Sequence, residues 1–172
     1  MPELPDIPRP SQLWKRLSPE RKLQAADAFW RDESASVEKA EVVVMIAQRI
    51  KFRTKSVLAL PREKKAHHLV SLSAVSEIVA ARLLVAYHLR HQRPMMVGFL
   101  DALGIAHDEG LITDEDLQPP AADRLREAAR EIATSFPPEE VALYLSTLMW
   151  QDPETWAGLA EAPEIVLPAQ DA

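Results

Sequence analysis

The scarcity of glycine is the feature that most constrains how this chain can fold. Only four of its 172 residues are glycine, and the stretch between its two ends is rich in alanine, leucine, glutamate and arginine. These four residue types lose the least free energy on entering a helix. The sequence therefore predicts an all-α protein, a single compact domain of about seven to nine helices.

A central buried helix is predicted near residues 73–90, with Ser73 as its N-cap. Apolar residues recur there at intervals of three or four: Val75, Ile78, Val79, Leu83, Ala86 and Leu89. Since apolar side chains also occupy the other faces, we expect neighbouring elements on most sides of this helix. It carries Glu77, Arg82 and His88 and is shorter than the roughly 20 apolar residues of a spanning helix, so no membrane partner is predicted.

The run VVVMI at residues 42–46 is the main ambiguity in secondary structure. Three consecutive valines favour a strand, whereas the alanines, glutamates and long basic residues around them favour a helix. We predict a helix that begins after Ser34 or Ser36. The spacing indicates an inward face of Val37, Ala40, Val44 and Ala47.

The two ends of the chain lack a helical pattern. Prolines at positions 2, 5, 8 and 10 remove amide donors from the first ten residues, so residues 1–17 are predicted to form an extended Pro-rich arm. The all-α domain is predicted over residues 18–162, followed by a tail at 163–172. The amino end has no apolar core of a secretory signal and the chain has no cysteine, so a cytoplasmic protein is expected.

Charge is distributed unevenly along the chain. Residues 49–93 contain ten Lys and Arg against two Asp and Glu, a net charge of +8, together with four of the five histidines. Residues 94–172 contain three against sixteen, a net of −13. Clustered cations are the usual footprint of a site for an anion or an anionic partner. The candidate residues are Arg49, Arg53, Lys55, Arg62, Lys64 and Lys65.

An internal explanation of the basic residues is favoured over a binding site. The acidic carboxy-terminal half can supply ion-pair partners, with candidates Asp108, Glu109, Asp114, Glu115 and Asp116. Arg82 is a separate case because its sequence neighbours are apolar and a guanidinium is seldom buried alone. We expect an internal carboxylate at Arg82, with anion binding as the alternative.

Enzyme chemistry finds little support in the sequence. A possible pocket is indicated by Arg82 with His88, His91 and His107, and His107 lies beside two carboxylates that favour a role as a base. No nucleophile accompanies it, so a polar turn is the favoured interpretation. No zinc or di-iron motif occurs and the glycines are isolated, so neither a metal nor a cofactor is predicted.

The sequence favours a non-catalytic helical interaction module that binds an unknown protein partner or self-associates. The alternative is a small-molecule or anion-binding protein, including an enzyme, with its pocket at the arginine and three histidines just named. A nucleic-acid binder acting through the basic 49–68 segment is a further alternative. It is disfavoured because the overall charge of −6 repels nucleic acid at long range.

Overall fold

The structure is a computed structural model that describes residues 7–167. It is 68% helical with one two-stranded sheet, which confirms the all-α class. Within the described residues the α-helices are α1 (Pro10–Arg16), α2 (Pro19–Arg31), α3 (Ser36–Ile50), α4 (Thr54–Leu58), α5 (Arg62–Val70), α6 (Glu77–His91), α7 (Arg93–Leu103), α8 (Ala122–Ala133) and α9 (Pro138–Gln151). Strands β1 (His107–Asp108) and β2 (Leu111–Ile112) lie between α7 and α8, and 3-10 helices follow at Ala157–Glu161 and Pro163–Ile165.

The described chain divides into two compact units. The amino-terminal unit is Arg9–Arg90, and the carboxy-terminal unit contains residues 91–167 together with residues 7 and 8. The boundary falls in the last turn of α6, and only Gln92 separates α6 from α7. A single domain over residues 18–162 stays a prediction. In the described part of the chain, no helix is both long and apolar enough to cross a membrane.

Helix α1 corrects the predicted extended arm. Residues 1–6 of that arm lie outside the described residues, but Pro10–Arg16 is helical, with Leu13 and Trp14 buried. Proline is compatible with the first helical turn because the amide that it lacks would have no partner there. The Arg9 amide donates to Gln12 Oε1 at 2.9 Å, closing a capping box at this end.

Ser11 attaches α1 to the start of α6. Its amide and its hydroxyl donate to the Glu77 carboxylate at 3.0 and 2.5 Å. Burial acts to raise the pKa of Glu77, but the two hydrogen bonds from Ser11, together with the charges of Arg9 and Lys15, hold the pKa below its ordinary value. The start of α6 is also corrected: Ser76 Oγ, not Ser73, accepts from an amide of the first turn, that of Val79 at 3.2 Å.

Helix α3 confirms the helical interpretation of the valine run, but of its predicted inward face only Ala47 is buried. The buried residues of the helix are Val42, Val43, Ile46 and Ala47. Val37 and Val44 are 77% and 45% exposed, and Ala40 is exposed. Apolar residues surround almost the whole circumference between positions 42 and 47, so spacing alone does not select the inward face.

The carboxy-terminal unit has its core at α9. Every residue from 141 to 149 is buried, whereas α6 exposes 62% of Ile78, so α9 is the more uniformly buried of the two. Tyr144 meets the edge of Phe99 with ring centroids 5.6 Å apart, and Trp156 lies 6.0 Å from the same ring. These contacts hold the segment after α9. Within the predicted tail, Pro163–Ile165 is a 3-10 helix, and residues 168–172 lie outside the described residues.

Candidate functional site

The basic segment, residues 49–68, runs from the end of α3 through α4 into α5. Lys51 ends α3 in the left-handed conformation with φ of 58°, and the Phe52 amide donates to the Ala47 carbonyl at 3.0 Å. This closure turns the chain sharply out of α3. Pro61 then precedes α5 in an extended conformation, so the cations are divided among the end of α3, the residues before α4, and the two short helices α4 and α5.

Two arginines of the basic segment contact the protein itself. Arg49 donates to the Ser71 carbonyl. Arg62 Nε lies 2.8 Å from Asp27 Oδ1 of α2, and Asp27 also accepts from Arg31 at 2.9 Å. Burial acts to raise the pKa of Asp27, but the hydrogen bonds from the two guanidinium groups outweigh it and lower the pKa. Arg62 therefore finds its carboxylate in α2, not in the acidic stretch favoured by the sequence.

Lys65 is held against an aromatic ring. Its Nζ lies 4.9 Å from the centroid of Trp30, which is a cation–π contact between α5 and α2. Partial burial lowers the pKa of Lys65, and the charges of Lys39 and Arg62 lower it further. Lys65 is thus part of the packing between these helices.

Four cations of the segment differ from Arg49, Arg62 and Lys65: they are Lys51, Arg53, Lys55 and Lys64. All four are exposed, and within residues 7–167 none of them forms an ion pair. Phe52 and Leu58, in the same stretch of the sequence, are 52% and 58% exposed. The part of the basic segment that faces solvent therefore combines positive charge with large apolar side chains.

Arg82 meets the internal carboxylate that was expected. Its Nε lies 3.3 Å from Glu38 Oε1 of α3, with side-chain exposures of 38% and 14%. An external anion at Arg82 would have to compete with this carboxylate. The contact makes a structural role the simpler explanation of this arginine.

The three histidines of the predicted pocket have three different environments. His88 is 1% exposed, and desolvation lowers its pKa to about 3, although a hydrogen bond with the backbone of Leu84 opposes the shift. It is neutral at pH 7. His91 is exposed at the end of α6, and His107 is half-buried in β1.

Both ring nitrogens of His107 are engaged. The Gly110 amide donates to Nδ1 at 3.1 Å, so the ring proton is assigned to Nε2, which donates to Asp101 Oδ1 at 2.7 Å. A general base needs a ring nitrogen whose lone pair is available to substrate. The geometry of His107 favours the polar-turn interpretation over catalysis. Among the described residues no three His, Asp or Glu side chains are grouped to hold a metal ion.

His107 belongs to a β-hairpin that sequence reasoning missed. His107 pairs with Ile112 and Asp108 with Leu111, and the two residues between the strands, Glu109 and Gly110, have φ of 49° and 95°. Positive φ at both positions defines the turn that matches strand twist. The sequence signal for this hairpin was the pair Glu109–Gly110, a residue followed by glycine between two short runs of polar and apolar residues.

Three contacts fasten this hairpin to α7. Arg93 Nη1 lies 2.6 Å from Glu109 Oε2, and His107 contacts Asp101 as described. Gly110 approaches Met96 so closely that an added Cβ would lie 3.1 Å from Met96 Cβ. Glu109, expected to pair with the basic segment, thus has a partner in α7.

We call residues 107–116 the acidic hairpin. Beyond the strands, Asp114, Glu115 and Asp116 are exposed, and in the described part of the chain these three carboxylates form no ion pair. Leu111 and Ile112 are 51% and 37% exposed. The hairpin therefore presents acidic and apolar side chains together.

No protein-family model matches this chain, and no match was found among curated proteins or among solved structures. A proposal about function therefore depends on the geometry described above.

Proposed function

We propose that this protein is a non-catalytic helical module that binds a protein partner through the exposed part of its basic segment. One observation carries the proposal: Lys51, Arg53, Lys55 and Lys64 lack carboxylate partners in the described chain, and the same stretch of sequence exposes Phe52 and Leu58. Lone apolar residues on a surface are ordinary, but apolar side chains bordered by unpaired charge resemble the core and rim of an interface.

The same arrangement favours a protein over a nucleic acid as the partner. Nucleic-acid sites gain affinity by neutralising many phosphates, whereas Arg49, Arg62 and Lys65 are already engaged with the fold. The four remaining cations suit an acidic and apolar surface on another protein, where charge sets orientation and association rate. We propose a cytoplasmic setting, supported by the lack of cysteine.

The test uses two fluorescent probes, a peptide of alternating Glu and Leu and a random-sequence DNA duplex. Their anisotropy is titrated with the full chain in buffers of about 50 and 300 mM salt, since screening separates charge-driven from apolar binding. We expect the peptide to bind more tightly than DNA. The double variant Lys55→Glu and Lys64→Glu should weaken peptide binding by about tenfold or more, because each substitution replaces attraction to the glutamates of the peptide by repulsion.

The matched control is Arg126→Glu with Arg130→Glu, which changes the net charge equally at exposed positions of α8. It should leave peptide binding unchanged. Equal peptide affinity in the wild type and the Lys55/Lys64 variant, or no peptide binding at all, would overturn the proposal. Tighter binding of DNA that is lost in the Lys55/Lys64 variant would replace it with the nucleic-acid alternative.

A further inference from the structure

We infer that the partner of the basic segment is a second copy of this chain, which docks through its acidic hairpin. The inference rests on the proposed function and adds the identity of the occupant. It joins two surfaces that are described separately above and that are both exposed in a single chain.

The two surfaces are alike in composition and opposite in sign. Within the described residues, the basic segment offers four exposed cations without ion pairs together with Phe52 and Leu58. The acidic hairpin offers four exposed carboxylates without ion pairs, those of Asp108 and residues 114–116, together with Leu111 and Ile112. Opposite charges at the rim and apolar side chains between them are what two complementary interface halves require.

Both surfaces are held in place before any contact forms. The hairpin is fastened to α7 through Glu109, His107 and Gly110. The basic segment is fixed through Arg62 to Asp27 and through Lys65 to Trp30. Because backbone and anchoring side chains are already ordered, association loses less conformational entropy than docking of a loose loop would.

The contact joins different surfaces of the two copies, so a pair of copies forms it once or, where a two-fold axis relates them, twice. A reciprocal pair closes as a dimer, whereas a single contact leaves one basic segment and one acidic hairpin free for further copies. We therefore expect association that increases with protein concentration, either to a closed dimer or ring or to longer species. Exposed charges are screened by salt, so the association is strongest at low ionic strength.

Sedimentation velocity of the full chain over a concentration series tests the inference at about 50 and 500 mM salt. We expect association at the lower salt and its loss at the higher. Two variants are compared: a basic-segment variant with Lys55→Glu and Lys64→Glu, and a hairpin variant with Asp114→Lys and Asp116→Lys. Each alone should associate at least about tenfold more weakly, since like charges then face each other.

A mixture of the two variants is the decisive experiment. In an equimolar mixture, the native hairpin of the basic-segment variant can meet the native basic segment of the hairpin variant, and association should return. Recovery also shows that both variants are folded, and far-UV circular dichroism checks each one separately. The Arg126/Arg130 control should associate like the wild type.

A monomeric wild type at low salt overturns the inference, as does association that persists in both variants or fails to return in the mixture. The proposed function is judged independently by the peptide probe. Peptide binding by a monomeric wild type would keep the basic segment as a docking site for a different protein. Loss of both self-association and peptide binding would remove the two proposals together.

Discussion

His88 has the environment furthest from water of the three histidines considered above. Its imidazole, carried by α6, is buried in the protein. It stays neutral because a charged imidazole there would lose the favourable free energy of hydration. A neutral buried histidine acts as an apolar side chain with one polar contact to its own helix. Its chemistry becomes visible only through the pH dependence of folding.

Acidification is expected to destabilise the protein through His88. In the unfolded chain this residue takes up a proton below its ordinary pKa of about 6.5, whereas the folded state takes it up only near pH 3. The stabilisation is complete above pH 6.5 and is lost as the pH falls toward 3. Between pH 7 and pH 5, this effect lowers the free energy of unfolding by about 2 kcal/mol. Urea unfolding at both pH values measures the difference.

His88→Leu should reduce this loss, while His67→Gln, at an exposed position of α5, should leave it unchanged. Each substitution removes one imidazole, so their comparison isolates the effect of burial. An identical loss of stability in the wild type and His88→Leu would contradict the assignment.

The 3-10 helix at Ala157–Glu161 packs tightly against α8 at Gly158. A Cβ on Gly158 would lie 2.8 Å from Leu125 Cδ1 and 2.9 Å from Ala122 Cα. The second atom belongs to the backbone and cannot rotate away. Glycine is required here by the neighbouring helix, not by a special φ angle.

Gly158→Ala is therefore expected to lower the melting temperature, because either the 3-10 helix or α8 must shift. Gly98→Ala is the matched control. Gly98 lies inside α7 with nothing within 4 Å of an added Cβ, so alanine should be neutral or stabilise by up to about 1 kcal/mol. Thermal unfolding measures the melting temperatures of both variants. Equal melting temperatures would show that the 3-10 helix and α8 can move apart at Gly158 with little loss of stability.

The same elements show how far the sequence predicts the fold. Helix α3 was predictable from the residues around its valines, but its inward face was not, since apolar side chains nearly encircle it. Proline spacing suggested an arm where Pro10 starts α1. These errors share a cause, because local preference identifies compatible structures and tertiary packing chooses among them.

The sequence also predicts only part of the candidate site. The cost of burying a guanidinium predicted a carboxylate for Arg82, yet Glu38 lies 44 positions away in the sequence. Which cations of the basic segment stay available depends on how α2 packs on α5, and this places Asp27 and Trp30 beside Arg62 and Lys65. Charge counting located the segment but could not separate its engaged residues from its exposed ones.

On the scale of the whole molecule, the boundary between the two units is unusual. Domain boundaries usually fall in exposed linkers with few regular contacts, whereas this boundary lies in the last turn of α6, one residue from α7. This position of the boundary favours the single cooperative domain predicted from the sequence.

We therefore expect one unfolding transition. Trp14 and Trp30 belong to the amino-terminal unit and Trp150 and Trp156 to the other, so replacing either pair by Phe leaves a fluorescent reporter in one unit alone. Within each variant the urea midpoint from fluorescence should coincide with that from far-UV circular dichroism, as two-state folding requires. Separate midpoints within one variant would show that the units unfold independently.

The acidic hairpin separates the residues that give it shape from those that give it charge. Its shape depends on Arg93, Asp101 and Gly110, whereas three of its exposed carboxylates follow at residues 114–116, where Asp114 Oδ1 also accepts from the Asp116 amide at 3.0 Å. Substitutions at the latter positions change the charge of the hairpin and leave its three contacts with α7 in place. Over evolutionary time, substitution of a few of these acidic residues would change which partner the hairpin binds, while the fold itself stays intact.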